Sequence, residues 1–171
     1  KPYRPIPQGI VTSKEAFQLS FLLYTGAFLL ALTVHMVFFV FILLITLFSV
    51  TYSLTPRMKK FLFFNQLWVA IPRGFLAILS SWSVFGNPFE PLPLGMGCVA
   101  ALFLFGGTTT KDILDAEADR TVGTKTLVNV FGLKIASLFS LVFMIGAFCL
   151  IVPLVYYHIL PTIVLPLSFL I

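Results

Sequence analysis

The sequence predicts an all-α, polytopic transmembrane helix bundle, and three observations support that prediction. Hydrophobic residues make up 59% of the 171 residues and charged residues only 10%, well below the roughly 25% charged residues of a soluble domain. Several apolar segments approach the ~20 residues that a membrane-spanning helix requires. The basic residues fall almost entirely in alternate connections between these segments. Together these features indicate an integral membrane protein.

Six apolar segments follow one another along the chain, about one spanning helix each. The third contains Pro72-Arg73-Gly74, which is expected to kink it. We predict a single membrane domain over 1–171, with cytoplasmic loops or caps at 1–14 and 111–132. The predicted spans are Phe17–Val34, Met36–Ser53, Phe61–Val84, Pro93–Thr110, Leu133–Val152 and a sixth from Pro153 towards Ile171.

The distribution of Lys and Arg predicts the orientation. Ten of the eleven basic residues lie in 1–14, in the connection at 54–60 and in 111–134, whereas the intervening connections carry none. Positively charged loops remain on the cytoplasmic side. We therefore predict a multi-pass protein of the cell membrane with these three segments in the cytoplasm. The net charge of +5 follows from this topology and gives no reason to expect a nucleic-acid partner.

Three aspartates give the most specific chemical signal. Asp112, Asp115 and Asp119 are spaced at i, i+3 and i+7, which places them on one stripe of a helix. Neighbours on such a stripe have Cβ atoms roughly 5–6 Å apart, so the carboxylates repel one another unless a cation lies among them. Their oxygen atoms suit Mg²⁺, with Mn²⁺ as the other candidate. The alternative is a solvated acidic helix end that binds no ligand.

Polar residues near or inside the predicted spans add candidate binding groups. Asn65 lies roughly 8 Å beyond Lys60 along a helix, a depth that suits the lining of a cytoplasm-facing cavity. Arg73 is deeper, and an ionisable residue inside a span is by default a functional candidate. An arginine that snorkels to the far headgroups is the alternative. Tyr52, at the end of the second span, is either an anion-binding hydroxyl or an interfacial aromatic residue.

The predicted cytoplasmic face combines clustered carboxylates with clustered cations, among them Arg4, Arg57 and Lys125. Both sets can act on one diphosphate bridged by Mg²⁺, because the metal takes the carboxylates and the free phosphate oxygens take Lys and Arg. A lipid-soluble tail would explain why such a site opens into a helix bundle. These residues predict a metal-assisted enzyme that acts on a lipid diphosphate. The alternatives are a cation-coupled transporter or channel, and a scaffold bundle without catalytic activity.

Two segments resemble motifs of the UbiA superfamily of intramembrane prenyltransferases. The run Lys-Asp-Ile-Leu-Asp-Ala-Glu-Ala-Asp-Arg-Thr-Val-Gly from Lys111 resembles the second aspartate-rich motif, and Arg-Pro-Ile-Pro-Gln-Gly from Arg4 resembles the loop after the first. The resemblance implies a nine-helix bundle in which this chain supplies the third to the eighth helix. The first motif, Asn-x-x-x-Asp-x-x-x-Asp, would then lie upstream of Lys1. We therefore expect the chain to be an interior piece of a longer protein.

The resemblance also implies an activity. Members of the superfamily are transferases that move an isoprenyl chain from its diphosphate donor to a hydrophobic acceptor from the bilayer. In their pattern Asp115 and Asp119 correspond to catalytic Mg²⁺ ligands, and Asp112 matches the leading aspartate of the same metal site. The residues expected to bind substrate are Arg4, Tyr52, Arg57, Asn65, Arg73 and Lys125.

Overall fold

The computed structural model describes residues 5–121 and 123–169, and all of its regular structure over those residues is helical. Four helical stretches, Ser13–Val34, Met36–Ser53, Pro91–Glu117 and Leu127–Tyr156, are long and apolar enough to cross a membrane. The predicted all-α, polytopic helix bundle is therefore confirmed. In chain order the α-helices are α1 (Ser13–Val34), α2 (Met36–Ser53), α3 (Phe64–Ala70), α4 (Leu76–Trp82), α5 (Pro91–Thr121), α6 (Leu127–Cys149) and α7 (Ile151–Tyr156).

α1 and α2 form a helical hairpin on the outside of the bundle. Thr12 and Glu15 form a capping box at the start of α1, with the Thr12 hydroxyl accepting from the Glu15 N–H at 3.2 Å and the Glu15 carboxylate accepting from the Thr12 N–H at 2.8 Å. His35 alone separates the two helices and caps α2. Only 6% of the apolar stretch of each helix is buried. Their side chains are therefore available to lipid or to further helices.

The third predicted span is a kinked helical run. α3 continues into a π-helical turn over Ile71–Phe75 and then into α4, so the predicted break at Pro72 is present. Proline lacks the N–H that would continue the regular ladder, and a π-turn is one way for a helix to absorb that loss. Within the turn, a Cβ atom on Gly74 would lie 2.6 Å from Ala101 Cα. Glycine at this position therefore permits the close approach of α5.

α5 extends well beyond the predicted fourth span. Its 31 residues correspond to roughly 47 Å at 1.5 Å per residue, more than the ~30 Å hydrocarbon core of a bilayer. The segment 111–132 is consequently mostly helical, because α5 continues to Thr121 and α6 begins at Leu127. The connection between them is shorter than predicted, and α5 itself carries the three aspartates on its last turns.

The sixth predicted span forms no membrane-crossing helix within the described residues. α7 ends at Tyr156, His158 has a positive φ of 57°, and a 3₁₀ segment follows over Thr162–Phe169. Prolines at 153, 161 and 166 account for the interruption, because each removes a backbone donor and restricts the residue before it.

The interior of the bundle lies among α2 to α6. One apolar cluster joins Phe41 of α2 to Leu76 and Leu79 of α4. A second forms around Leu127 and Val128 at the start of α6 and includes residues of α5. α3 also packs against α5, and Asn65 and the three aspartates lie on these two helices.

Candidate functional site

A buried set of hydrogen bonds joins α2, α3 and α5. The Tyr52 hydroxyl donates to Asn65 Oδ1 at 2.8 Å, and Asn65 Nδ2 donates to Asp112 Oδ2 at 2.6 Å. Asn65 is 3% exposed and Asp112 is 1% exposed. We call these three residues the polar bridge. Three predicted site residues that are distant in sequence therefore meet at one point of the bundle.

The chemistry of the carboxylate fixes the direction of these bonds. An ionised carboxylate only accepts hydrogen bonds, so Asn65 presents its NH₂ group to Asp112 and its carbonyl oxygen to Tyr52. The Tyr52 proton is consequently used on Asn65. An anion could accept a hydrogen bond from Tyr52 only after the bond between this hydroxyl and Asn65 had broken. In this arrangement Tyr52 supports Asn65.

The buried Asp112 carboxylate has a second neighbour. Its Oδ1 lies 3.7 Å from Lys111 Nζ, and the Lys111 side chain is 59% exposed. A long, exposed ion pair contributes little to stability, whereas a short hydrogen bond to a charged group is among the stronger hydrogen bonds in proteins. Asn65 therefore contributes more than Lys111 to making the burial of this charge tolerable.

Asp115 and Asp119 follow Asp112 on α5, and both side chains are half-buried. Their i, i+4 spacing places their carboxylates on one helix face. Among the residues that the structure describes, no three His, Cys, Asp or Glu side chains are arranged to hold a metal ion. Mg²⁺ bound to phosphate, however, commonly takes only one or two carboxylates from the protein. The oxygen atoms of Asp115 and Asp119 therefore fit Mg²⁺ held jointly with a phosphorylated ligand.

Two basic connections meet beyond the end of α5. Arg57 is exposed and has a φ of +62°, at the start of a tight 3₁₀ turn that ends at Lys60. The backbone N–H of Lys125 donates to the Lys60 carbonyl oxygen at 3.2 Å. The structure thus brings predicted cations from two different connections together on the acidic side of the bundle. Arg4, another predicted cation of this set, lies outside the described residues.

Several hydrogen bonds order the connection between α5 and α6. The Thr124 N–H donates to the Asp119 carbonyl oxygen at 2.9 Å. Asn129 Nδ2 donates to the Thr124 carbonyl oxygen at 3.4 Å and Asn129 Oδ1 accepts from Arg120 Nε at 3.0 Å. Asn129 had no predicted role, and its position three residues after a capping threonine is the signal that could have identified it. The predicted cytoplasmic location of this connection stays a prediction.

Arg73 lies apart from the polar bridge. It is exposed on the π-helical turn, roughly 12 Å beyond Asn65 along the helix axis at 1.5 Å per residue. The role of Arg73 in binding stays a prediction.

Two fully buried polar residues without a predicted role lie beside the polar bridge. Gln66 follows Asn65 directly, and Thr109 precedes Asp112 by three residues; both are 0% exposed. In the sequence, Gln66 is the second member of an amide pair within an apolar segment, and Thr109 is the middle residue of three consecutive threonines. Neither pattern shows whether the residue binds a ligand or only permits close packing of the helices.

Comparisons with known proteins place the sequence among prenyltransferases. Residues 1–171 match the UbiA prenyltransferase family. A digeranylgeranylglyceryl phosphate synthase from Methanosphaera stadtmanae is 27% identical over 159 residues, which are 92% of this chain and 56% of the relative. A 4-hydroxybenzoate octaprenyltransferase from Vibrio cholerae is 29% identical over 129 residues, which are 75% of this chain and 44% of the relative.

A second digeranylgeranylglyceryl phosphate synthase, from Methanosarcina mazei, is 30% identical over 134 residues, which are 78% of this chain and 45% of the relative. The chain thus spans about half the length of the curated relatives that it matches. No solved structure matches it significantly.

Proposed function

Because the chain belongs to the UbiA prenyltransferase family, we propose that it forms part of an intramembrane enzyme that moves an isoprenyl chain from its diphosphate to a lipophilic acceptor. Mg²⁺ is the proposed cofactor, held by Asp115 and Asp119 together with the diphosphate. The polar bridge is the observation that carries the proposal. It fixes α5 inside the bundle immediately before these two half-buried carboxylates.

We propose a positioning role for Asp112, which the sequence pattern had placed among the metal ligands. Its Oδ2 is engaged by Asn65 and its side chain is 1% exposed. A carboxylate that is covered in this way exposes almost no oxygen surface to a metal ion. From its present position it sets the rotation of α5 and so the direction in which Asp115 and Asp119 point.

The basic connections supply the proposed contacts to the diphosphate. Arg57, Lys60 and Lys125 are exposed, and the backbone bond between Lys125 and Lys60 joins the two connections that carry them. Cationic side chains form strong, charge-assisted hydrogen bonds to phosphate oxygens. We propose that Arg4 joins this set, and that the site faces the cytoplasm because these segments are basic.

In the proposed reaction, the bond between the first isoprenyl carbon and the diphosphate oxygen breaks, and its electron pair leaves with the diphosphate. The acceptor gives an electron pair to that carbon and loses a proton. Bound Mg²⁺ supplies positive charge that offsets the charge of the leaving diphosphate. The basic residues orient the diphosphate. The apolar interior excludes water, which would otherwise react with the allylic carbon in place of the acceptor.

The relatives indicate a chemical class for the acceptor. One is named for a glyceryl phosphate and another for 4-hydroxybenzoate, and both names refer to compounds built on hydroxyl-bearing molecules. We therefore propose that the acceptor of this protein carries a hydroxyl group on an aromatic ring or a glyceryl unit, with an apolar part that enters from the bilayer.

The proposal is tested with the full-length protein in lipid vesicles, a radiolabelled allylic prenyl diphosphate, and either 4-hydroxybenzoate or a glyceryl phosphate lipid with a free hydroxyl. Prenylated product and an equal amount of diphosphate are expected. Chelation of divalent ions should abolish both, and added Mg²⁺ should restore them. Vesicles that take up cations but release no diphosphate would contradict the enzyme and support a transporter.

A further inference from the structure

Three buried polar atoms near the polar bridge have no hydrogen-bond partner among the residues that the structure describes. They are Nε2 and Oε1 of Gln66 and Oγ1 of Thr109, and both side chains are 0% exposed. Buried polar groups are nearly always paired, because leaving one unpaired costs its full desolvation free energy. Atoms kept in this state are candidates for contact with a ligand.

Thr109 differs from both neighbours in the threonine triplet. The hydroxyls of Thr108 and Thr110 donate to carbonyl oxygens of their own helix, those of Leu104 and Gly107, each at 2.7 Å. The Thr109 hydroxyl makes no such bond. Its proton and lone pairs therefore remain available to a group between the helices.

The packing of α3 and α4 against α5 brings Gln66 and Thr109 towards each other. The two runs are antiparallel, because the polar bridge joins the start of α3 to the far part of α5, whereas Gly74 abuts Ala101 much earlier in α5. Gln66 and Thr109 both lie between these two contacts, one residue and three residues inward from the polar bridge. They therefore belong to the layer of the bundle directly beneath it.

An apolar cavity begins one helical turn deeper. Its volume is about 430 Å³, and its walls include Ala70 of α3 and Phe105 of α5. Ala70 follows Gln66 by four residues and Phe105 precedes Thr109 by four, and residues at this spacing are neighbours on a helix face. Gln66 and Thr109 do not line the cavity in this structure, but each lies one helical turn from a residue of its wall, on the side of the polar bridge.

We propose that Gln66 and Thr109 form a hydrogen-bonding subsite for the hydroxyl group of the acceptor, with part of the acceptor's apolar body in this cavity. The inference rests on the proposed function and specifies how that function recognises its acceptor. A hydroxyl group donates to Gln66 Oε1 while it accepts from Gln66 Nε2 or the Thr109 hydroxyl. A carboxylate only accepts hydrogen bonds and would leave Oε1 unpaired.

The depth of the subsite suits the reaction. Thr109 lies roughly 9 Å from Asp115 along α5 at 1.5 Å per residue, a distance that a bound diphosphate and its first isoprenyl carbon can largely bridge. Both subsite side chains are covered in the structure. Binding therefore includes rotation of the flexible Gln66 side chain towards the cavity.

The subsite is tested by equilibrium dialysis of the full-length protein, a measurement that needs no turnover. One arm compares 4-hydroxybenzoate with benzoate, and the other compares the glyceryl phosphate lipid with its methyl ether. In one of the two arms, wild type is expected to bind the hydroxyl compound at least ~10-fold more tightly than the analogue that lacks the free hydroxyl. Gln66→Met and Thr109→Val should each reduce this preference to below ~3-fold, whereas Thr110→Val should retain it.

Thermal unfolding without ligand separates this role from a structural one. Gln66→Met removes a buried unpaired amide, so its Tm should equal or exceed that of wild type. The subsite is wrong if wild type shows no preference for either hydroxyl compound, or if the variants keep that preference. The subsite is also wrong if the Tm of the variants falls clearly and their affinities for the hydroxyl compound and for its analogue fall by the same factor. Mg²⁺-dependent binding of the prenyl diphosphate donor alone, measured by the same dialysis, reports separately on the proposed function.

Discussion

Replacement of Asn65 by leucine tests the energetic importance of the polar bridge. The change removes the 2.6 Å bond to Asp112 and the 2.8 Å bond to Tyr52 while keeping a side chain of similar size. A hydrogen bond to a charged group contributes about 1.5–3 kcal/mol and a neutral one about 1 kcal/mol. Among the residues that the structure describes, the Asp112 carboxylate, 1% exposed, would keep only the long contact to Lys111. We expect the free energy of unfolding to fall by about 2–4 kcal/mol.

A double-mutant cycle isolates the bond between the two side chains. Asn65→Leu, Asp112→Leu and the double variant are compared with wild type by reversible denaturant unfolding in mixed micelles. The double variant leaves no unpaired buried charge, so we expect a coupling free energy of about 1.5–3 kcal/mol. Tyr52→Phe is the smaller matched change and should cost about 1 kcal/mol. Additivity of the two leucine variants within about 0.5 kcal/mol would refute the reasoning.

Three further outcomes concern helix packing, diphosphate binding and orientation. Gly74→Ala would force a Cβ atom to within 2.6 Å of Ala101 Cα and should destabilise the protein by about 1–3 kcal/mol in thermal unfolding. Gly146→Ala, where the nearest atom is a leucine side-chain carbon at 3.6 Å, should be nearly neutral, and equal effects of the two changes would contradict the packing argument. Lys125→Ala should weaken binding of a non-hydrolysable prenyl diphosphate about tenfold without changing Tm, since an exposed lysine contributes little to stability; unchanged affinity would exclude this contact. A cysteine label at Lys125 should react from the cytoplasmic side and one at Glu90 only from the opposite side, so labelling of both from one side would overturn the predicted topology.

The helical membrane fold is predictable because segment length, hydropathy and charge are properties of the chain itself. The aspartate spacing likewise predicts that Asp112, Asp115 and Asp119 share one helix stripe, and α5 carries all three. The extent of α5 is harder to predict, since polar residues do not end a helix unless a breaker intervenes. No proline occurs from 94 to 121, and α5 continues as far as Thr121, into the segment predicted as a cytoplasmic loop or cap.

The contacts of the site depend on packing and could not be predicted from spacing alone. Asn65 and Asp112 are 47 positions apart, and their bond forms because α3 lies against α5 in one particular register. The close approach of Gly74 to Ala101 belongs to that same register. The unpaired atoms of Gln66 are also a tertiary property, because only the packed bundle decides which polar groups find a partner.

The effect of Asp115→Asn on Mg²⁺-dependent diphosphate release is the most direct test of the proposed metal-assisted prenyl transfer. Loss of one ligand charge should lower turnover by about 100-fold, equivalent to about 3 kcal/mol of transition-state stabilisation. Glu117→Gln removes the same charge from an exposed position on the same helix and should leave turnover unchanged. Near wild-type turnover of Asp115→Asn across a range of Mg²⁺ concentrations would contradict the assignment of the metal site.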